Sequence, residues 1–200
     1  MRITGGEFGG RNLKVPKSDA IRPTQDRVRE ALFSIIQCEI AGADFLDLFA
    51  GSGAVGLEAL SRGAKSVTFV ESNRRHVAVL KENVSAFGGF GGTGVSPVRT
   101  GRMPVPLNAS LVVADCYRWL ATYSGPGFSI GFADPPYALG EEKGYAQVLA
   151  NLLARNVIRP SGLFIAEMTA VQKAEDTPGW ELIRDRTYGK TRLCIWRRTA

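Results

Sequence analysis

Two short stretches carry residue types that could do chemistry. The first is Asp134-Pro135-Pro136-Tyr137, which follows a mainly apolar run from Phe128 to Ala133. Neither proline has an N–H to give a sheet ladder, so a strand through that run must end at Asp134. A carboxylate is left at the strand's carboxyl end, with an aromatic ring beside it in a stiff turn. Open α/β sheets bind ligands just outside the carboxyl ends of their strands. A rigid acid and a ring there suit a flat molecule that presents an N–H donor. A helix-capping aspartate ahead of a proline turn would use the same residues, so the tetrapeptide does not decide alone.

The second stretch, Gly51-Ser52-Gly53-Ala54-Val55-Gly56, has G-x-G-x-x-G spacing between the run Phe45 to Phe49 and a helical pattern. Glycines there permit a tight turn and let a ligand approach backbone N–H groups at a helix N-terminus. Glu71 lies eighteen residues past Gly53, at the end of the next apolar run. A carboxylate in that place can take both ribose hydroxyls of an adenosine-type cofactor. Asp47, just ahead of the glycines, would repel a pyrophosphate. It suits instead a cofactor carrying an ammonium and a sulfonium, as S-adenosylmethionine does. Asp115 ends the third apolar run, placed for an adenine amino group. Each acid singly could cap the helix that follows it, but acids ending strands one to four, with Asp134 the fourth, form a ligand rim.

These residues need a scaffold, and the chain supplies a repeating one. After Gly42, short apolar runs alternate with amphipathic segments: Phe45–Phe49, helix 55–62, Ser66–Val70, helix 73–86, Leu111–Ala114, helix 117–123, Phe128–Ala133, helix 145–155 and Leu163–Ala166. That rhythm predicts an α/β fold with a parallel, doubly wound sheet and right-handed crossovers. Residues 180–186 and 192–197 read as a terminal antiparallel hairpin turning at Tyr188-Gly189-Lys190. Residues 1–40 form an extension ahead of the 41–200 domain: a Gly-rich hairpin over 2–4 and 11–15, then a helix over 25–37 that Thr24 can cap. Residues 88–108 hold nine Gly or Pro in twenty-one positions and no acid, which predicts a loop insertion, read as dispensable.

Composition narrows the class. Hydrophobic residues at 44% and charged residues at 22% are those of a soluble globular protein. No apolar run approaches the ~20 residues needed to span a membrane, and the N-terminus lacks a signal-peptide core, which predicts a cytoplasmic protein. The three cysteines, Cys38, Cys116 and Cys194, have no metal-type spacing, and the single histidine, His76, excludes a His-rich metal centre. His76 falls on a polar helical stretch and is expected on an exposed face. The net charge is +6, of which residues 1–30 contribute +3 and residues 180–200 contribute +4, leaving −1 for the body. Basic ends around a near-neutral body suit a polyanion.

Asp47-Leu48-Phe49-Ala50-Gly51-Ser52-Gly53 together with Asp134-Pro135-Pro136-Tyr137 resembles the S-adenosylmethionine-dependent methyltransferases acting on exocyclic amino groups of bases. Arg22-Pro23-Thr24 with its helix, the Gly-rich hairpin and the chain length look like the RsmD family, which methylates N2 of a guanine in bacterial 16S ribosomal RNA. The resemblance implies the class I, Rossmann-like methyltransferase fold: seven strands in the order 3-2-1-4-5-7-6, the last antiparallel. It implies that Thr24, Asp47, Phe49, Ala50, Gly51, Ser52, Gly53, Glu71, Asp115 and Cys116 hold S-adenosylmethionine, and that Asp134, Pro135, Pro136 and Tyr137 hold the target base. Arg11, Lys14, Arg22, Arg27 and Lys190 are the candidates for RNA phosphates. The partner is then ribosomal RNA, naked or in a partly assembled small subunit, met by a monomer with no metal. The insertion departs from the family pattern. Adenine-N6 methylation of DNA or RNA, a nicotinamide-dependent oxidoreductase and a non-catalytic RNA-binding assembly factor are the competing readings.

Overall fold

A computed structural model describes residues 1–16, 26–91, 107–135, 137–174 and 176–199, with the side chains of 137–144 left aside. Five helices and seven strands alternate as the periodicity predicts: α1 (Asp26–Ile35), β1 (Asp44–Leu48), α2 (Ala54–Ser61), β2 (Ser66–Glu71), α3 (Arg74–Ala86), β3 (Ala109–Val113), α4 (Cys116–Thr122), β4 (Phe128–Ala133), α5 (Tyr137–Ala154), β5 (Ile158–Thr169), β6 (Trp180–Tyr188) and β7 (Thr191–Arg198). The strands form one sheet in the order β3-β2-β1-β4-β5-β7-β6. β1 to β5 pair in parallel, and β7 runs antiparallel to both β5 and β6. The strand order reverses direction between β1 and β4, which opens a crevice at their carboxyl ends.

Helices cover both faces, so central strands are buried on both sides and read as apolar runs rather than alternations. All six residues of β4 are buried. One core cluster joins α1, α2 and α3 to Phe45, Phe132, Ile165 and Leu193; the other joins α4 and α5 to Leu48, Ala133, Phe164 and Trp196. The N-terminal extension belongs to the first cluster through Ile3, Leu13, Val28, Leu32 and Phe33. Its hairpin is tighter than two strands: a single bridge links Arg2 and Asn12. The glycines let it dock on the end of α2, where a Cβ at Gly6 (φ 78°) would come within 1.9 Å of the Ser61 carbonyl oxygen.

Two elements differ from their sequence reading. α5 starts at Tyr137 rather than near Tyr145, because Gly140 and Gly144 dilute the helical signal ahead of Tyr145. β5 extends back to Ile158 through Pro160-Ser161-Gly162, where Ser161 takes φ 62° and the pairing with β4 shifts register. Arg29, on α1, is fully buried. The insertion has a closed neck, in which Phe90 bridges Leu107 and the Gly91 N–H donates to the Leu107 carbonyl at 2.7 Å. Among the described residues, no helix is long and apolar enough to cross a membrane.

Candidate active site

The site is built at the carboxyl ends of β1, β2 and β4. Leaving β1, the chain turns through Phe49 at φ 57°, Gly51 at φ 55° and Gly53 at φ 78°, and Gly53 caps α2. An aromatic residue in the left-handed region is strained, and such strain persists only where surroundings over-determine it. Here the Phe49 N–H donates to Cys116 Sγ at 3.3 Å and its ring meets Tyr117 edge-on at 5.6 Å. Cys116 is buried beneath the loop, where burial pushes its thiol up to about 12 against the opposing Phe49 N–H. It stays a neutral thiol. Gly56 brings α2 against β2, since a Cβ there would lie 2.3 Å from the Phe69 ring.

Asp47 is 1% exposed, and its Oδ2 accepts the Gly56 N–H at 2.9 Å, tying β1 to the first turn of α2. Burial pushes its carboxyl up to about 8; the Gly56 N–H opposes this and the Glu71 charge adds to it. Glu71 closes the loop from the other side. Its Oε2 accepts the Gly51 N–H at 2.9 Å and its Oε1 the Asn73 N–H at 2.7 Å. His76 Nδ1 lies 3.6 Å from Glu71, so the histidine borders this rim instead of an open helix face. Asp115 is exposed and caps α4 by accepting the Arg118 N–H at 3.0 Å. The capping role weighed for these acids is therefore real for Asp115. It does not exhaust a carboxylate, which has about four lone-pair sites.

Asp134 follows β4 on the same face as Asp47, whose register partner is Phe132. Burial raises its carboxyl well above the usual range, and the charges of Glu167 and Asp47 raise it further. Pro135 is buried behind it. Tyr137 opens α5, with its side chain outside the described residues, as are Pro136, Thr24 and Arg22. Tyr145, one helical stretch further on, is packed beside this group. Its hydroxyl donates to the Glu167 carbonyl at 2.6 Å, and burial together with Asp134 and Glu167 holds its phenol well above the ordinary value.

Phe49, Ala50, Gly51, Ser52, Gly53, Asp47, Glu71 and Cys116 thus come together, with Asp115 at their margin and Asp134 beside them. The described basic candidates lie on different elements. Lys14 pairs with Glu82 at 2.8 Å, and Arg11 donates to the Ala86 carbonyl with its guanidinium 4.0 Å over the Phe87 ring. Arg27 is exposed on α1, and Lys190 lies in the β6–β7 turn beyond β5. Asn83 escaped the sequence reading. It is buried on α3, donates to the Ser52 carbonyl at 2.9 Å and exchanges hydrogen bonds with the Lys14 backbone. A polar residue on the stripe of Val77, Leu80 and Val84 was the signal that could have found it.

Comparison with known proteins matches residues 1–197 to the family described as "Conserved hypothetical protein 95". The chain is 34% identical over 202 residues to "Ribosomal RNA small subunit methyltransferase D" of Escherichia coli K12, covering 100% of this chain and 91% of that protein. It is 34% identical over 190 residues to the protein of the same name from Haemophilus influenzae, covering 94% and 89%. The solved structure of yhhF from Escherichia coli superposes with a TM-score of 0.82 at 32% identity, covering 100% of this chain and 98% of that one. On this fold and these matches, the chain belongs to the family of ribosomal RNA small subunit methyltransferase D.

Proposed function

We propose that this protein transfers the methyl group of S-adenosylmethionine to the exocyclic N2 of a guanine in small-subunit (16S) ribosomal RNA, acting as a cytoplasmic monomer. The carrying observation is the order of acids across the sheet's carboxyl end: Glu71 on β2, Asp47 on β1 beside the glycine loop, then Asp134 after β4. The donor set fits the cofactor. A buried carboxyl at Asp47 disfavours a pyrophosphate and favours the ammonium and sulfonium of a methionine end, while Glu71 keeps lone pairs for ribose hydroxyls. Thr24, Phe49, Ala50, Gly51, Ser52, Gly53, Asp115 and Cys116 complete the proposed binding set. When bound, S-adenosylmethionine supplies an electrophilic methyl carbon.

The chain's own task is positioning. The lone pair of guanine N2 is delocalised into the ring and nucleophilically poor. Asp134 and the Pro135 carbonyl accept its two N–H groups and turn that lone pair toward the methyl carbon. Alignment of this kind can contribute ~7–11 kcal/mol. The raised carboxyl of Asp134 fits an acceptor that becomes ionised as N–H donors and a cation approach it. The methylated nitrogen is acidic and loses its proton readily, so no histidine base is needed. Tyr137 stacks on the extruded base, a contact worth ~1–3 kcal/mol, and Pro136 stiffens the turn that presents it. Arg11, Lys14, Arg22, Arg27 and Lys190 take backbone phosphates of the RNA, naked or in a partly assembled subunit. The exposed Lys14–Glu82 pair is weak enough to open for this.

The test is transfer from labelled S-adenosylmethionine to small-subunit RNA and to particles lacking the modification, followed by nucleoside analysis. N2-methylguanosine is expected. N6-methyladenosine would replace this reading with an adenine methyltransferase. RNA binding without any transfer would replace it with an assembly factor.

A further inference from the structure

The row of acids at the carboxyl end does not stop at Asp134. Ala133 pairs in register with Ala166, so one step further along both strands places Asp134 alongside Glu167. Leu163 and Ile165 belong to the same cluster as Phe132, so alternation turns Glu167 toward the face that Asp134 and Asp47 share. Glu167 is 8% exposed. Its backbone is fixed twice, by the Tyr145 hydroxyl at 2.6 Å and by pairing with Leu193 of β7. Across the sheet the order is therefore cofactor loop, Asp134, Glu167. A base held by Asp134 with its amine toward the cofactor has its neighbouring ring atoms on the Glu167 side.

We infer that Glu167 is the residue that selects guanine, by accepting the ring N1–H while Asp134 accepts the adjoining N2 amine. This deepens the proposed function and rests on it. Guanine presents two donors on adjoining positions, N2 and N1. Adenine presents an amine donor next to a bare N1 lone pair. Two acceptors side by side match the first pattern and oppose the second, because a carboxylate facing a lone pair gains no hydrogen bond and repels it. A carboxylate with about four lone-pair sites can keep a protein partner and still take the N1–H. The neighbouring charge of Glu167, which raises the Asp134 carboxyl, agrees with two acids close enough to grip one base edge. Sites built to hydrogen-bond a substrate N–H reject analogues that lack it by up to ~10⁴–10⁵.

The discriminating probe is 2-aminopurine, which keeps the N2 amine and lacks the N1–H. Small-subunit RNA is ligated from segments carrying guanine or 2-aminopurine at the methylated position, and used naked and assembled with subunit proteins. The wild-type protein should methylate guanine at least ~100-fold faster. In Glu167→Gln, whose amide can donate to a bare N1 and can still accept an N1–H, that ratio should fall below ~10-fold, through a faster 2-aminopurine reaction. Equal wild-type rates on the two bases, or an unchanged ratio in the variant, would overturn the role of Glu167 and leave the methyltransferase reading standing. If Glu167→Gln fails to fold, equal wild-type rates on the two bases would still overturn the role of Glu167. No wild-type transfer to guanine in either form would overturn the proposed function and this inference with it.

Discussion

Two groups of acid, one within α2 and one at the carboxyl ends of β1 and β4, behave in opposite ways. Glu58, on the helix itself, is fully buried and fully engaged: it accepts from the Thr4 N–H at 2.9 Å, from the Thr4 hydroxyl, from Arg29 Nε at 2.9 Å and from Arg62 Nε at 2.9 Å. Burial alone would raise its carboxyl, but the Thr4 and arginine hydrogen bonds prevail and hold it below its ordinary value. Asp47, on the strand that leads into that helix, is as buried and receives a single backbone N–H, from Gly56. Its carboxyl stands at about 8, and that of Asp134 is raised as well. Equal burial of Glu58 and Asp47 with unequal satisfaction separates an acid that holds the fold from one that the proposed function assigns to a ligand.

The contrast can be broken from the structural side first. Glu58→Ala takes from the fully buried Arg29 guanidinium its buried carboxylate partner and leaves it the half-exposed Asp26, a loss of about 3–5 kcal/mol. In a chain of this length that lowers Tm by on the order of 10 °C. S-adenosylmethionine affinity of the folded remainder, measured by calorimetry below the transition, should stay within about threefold. A large affinity loss with little change in Tm would reverse the assignment.

Asp134→Ala tests the other group. Transfer should fall ~10²–10³-fold, equivalent to about 3–4 kcal/mol of transition-state stabilisation, while cofactor binding and Tm are kept or improved. Undiminished transfer with cofactor bound would remove Asp134 from the mechanism.

Titration should separate the two groups by sign. An acid whose folded pKa is lowered, as in Glu58, contributes stability above its unfolded pKa and loses it as pH falls through the folded value. An acid whose folded pKa is raised, as in Asp47, contributes stability below its unfolded pKa and loses it as pH rises toward about 8. The ligand-free protein should therefore lose Tm on both sides of an intermediate pH. Glu58→Gln should flatten the acid limb. Asp47→Asn, which keeps an acceptor for the Gly56 N–H, should flatten the alkaline limb and weaken S-adenosylmethionine binding about tenfold. An alkaline limb unchanged in Asp47→Asn would show that its carboxyl titrates normally.

How much of this was legible in the chain depends on how local each signal is. Asp134-Pro135 had to end one strand, and Gly51 and Gly53 had to turn the chain after another, because each rule concerns a residue and its immediate neighbours. The strand–helix rhythm carried the sheet for the same reason. The strand order came through family resemblance, since spacing says nothing of which strands pair. Nothing local marks Arg29 for burial, because its partner Glu58 is 29 residues away. Asn83 and the proposed role of Glu167 leave no local mark, because they depend on Ser52 and on Asp134, brought near only by folding. The left-handed turn at Phe49 had no glycine to announce it.

The smallest expected effect sharpens the role of burial in this contrast. Lys14 and Glu82 form a close ion pair at 2.8 Å, as short as the pairs around Glu58, but their side chains are 71% and 55% exposed. If short distance alone made an acid structural, Glu82→Ala would destabilise the protein as Glu58→Ala does. Water and salt screen this pair, so the expected change is within about 0.5 kcal/mol, or about 2 °C in Tm. The same variant releases Lys14 for a phosphate. RNA affinity at low salt should then rise modestly and fall more steeply with added salt, in line with one more phosphate contact. An RNA affinity and salt slope identical to wild type, measured by filter binding over a salt series, would take Lys14 off the RNA-facing surface.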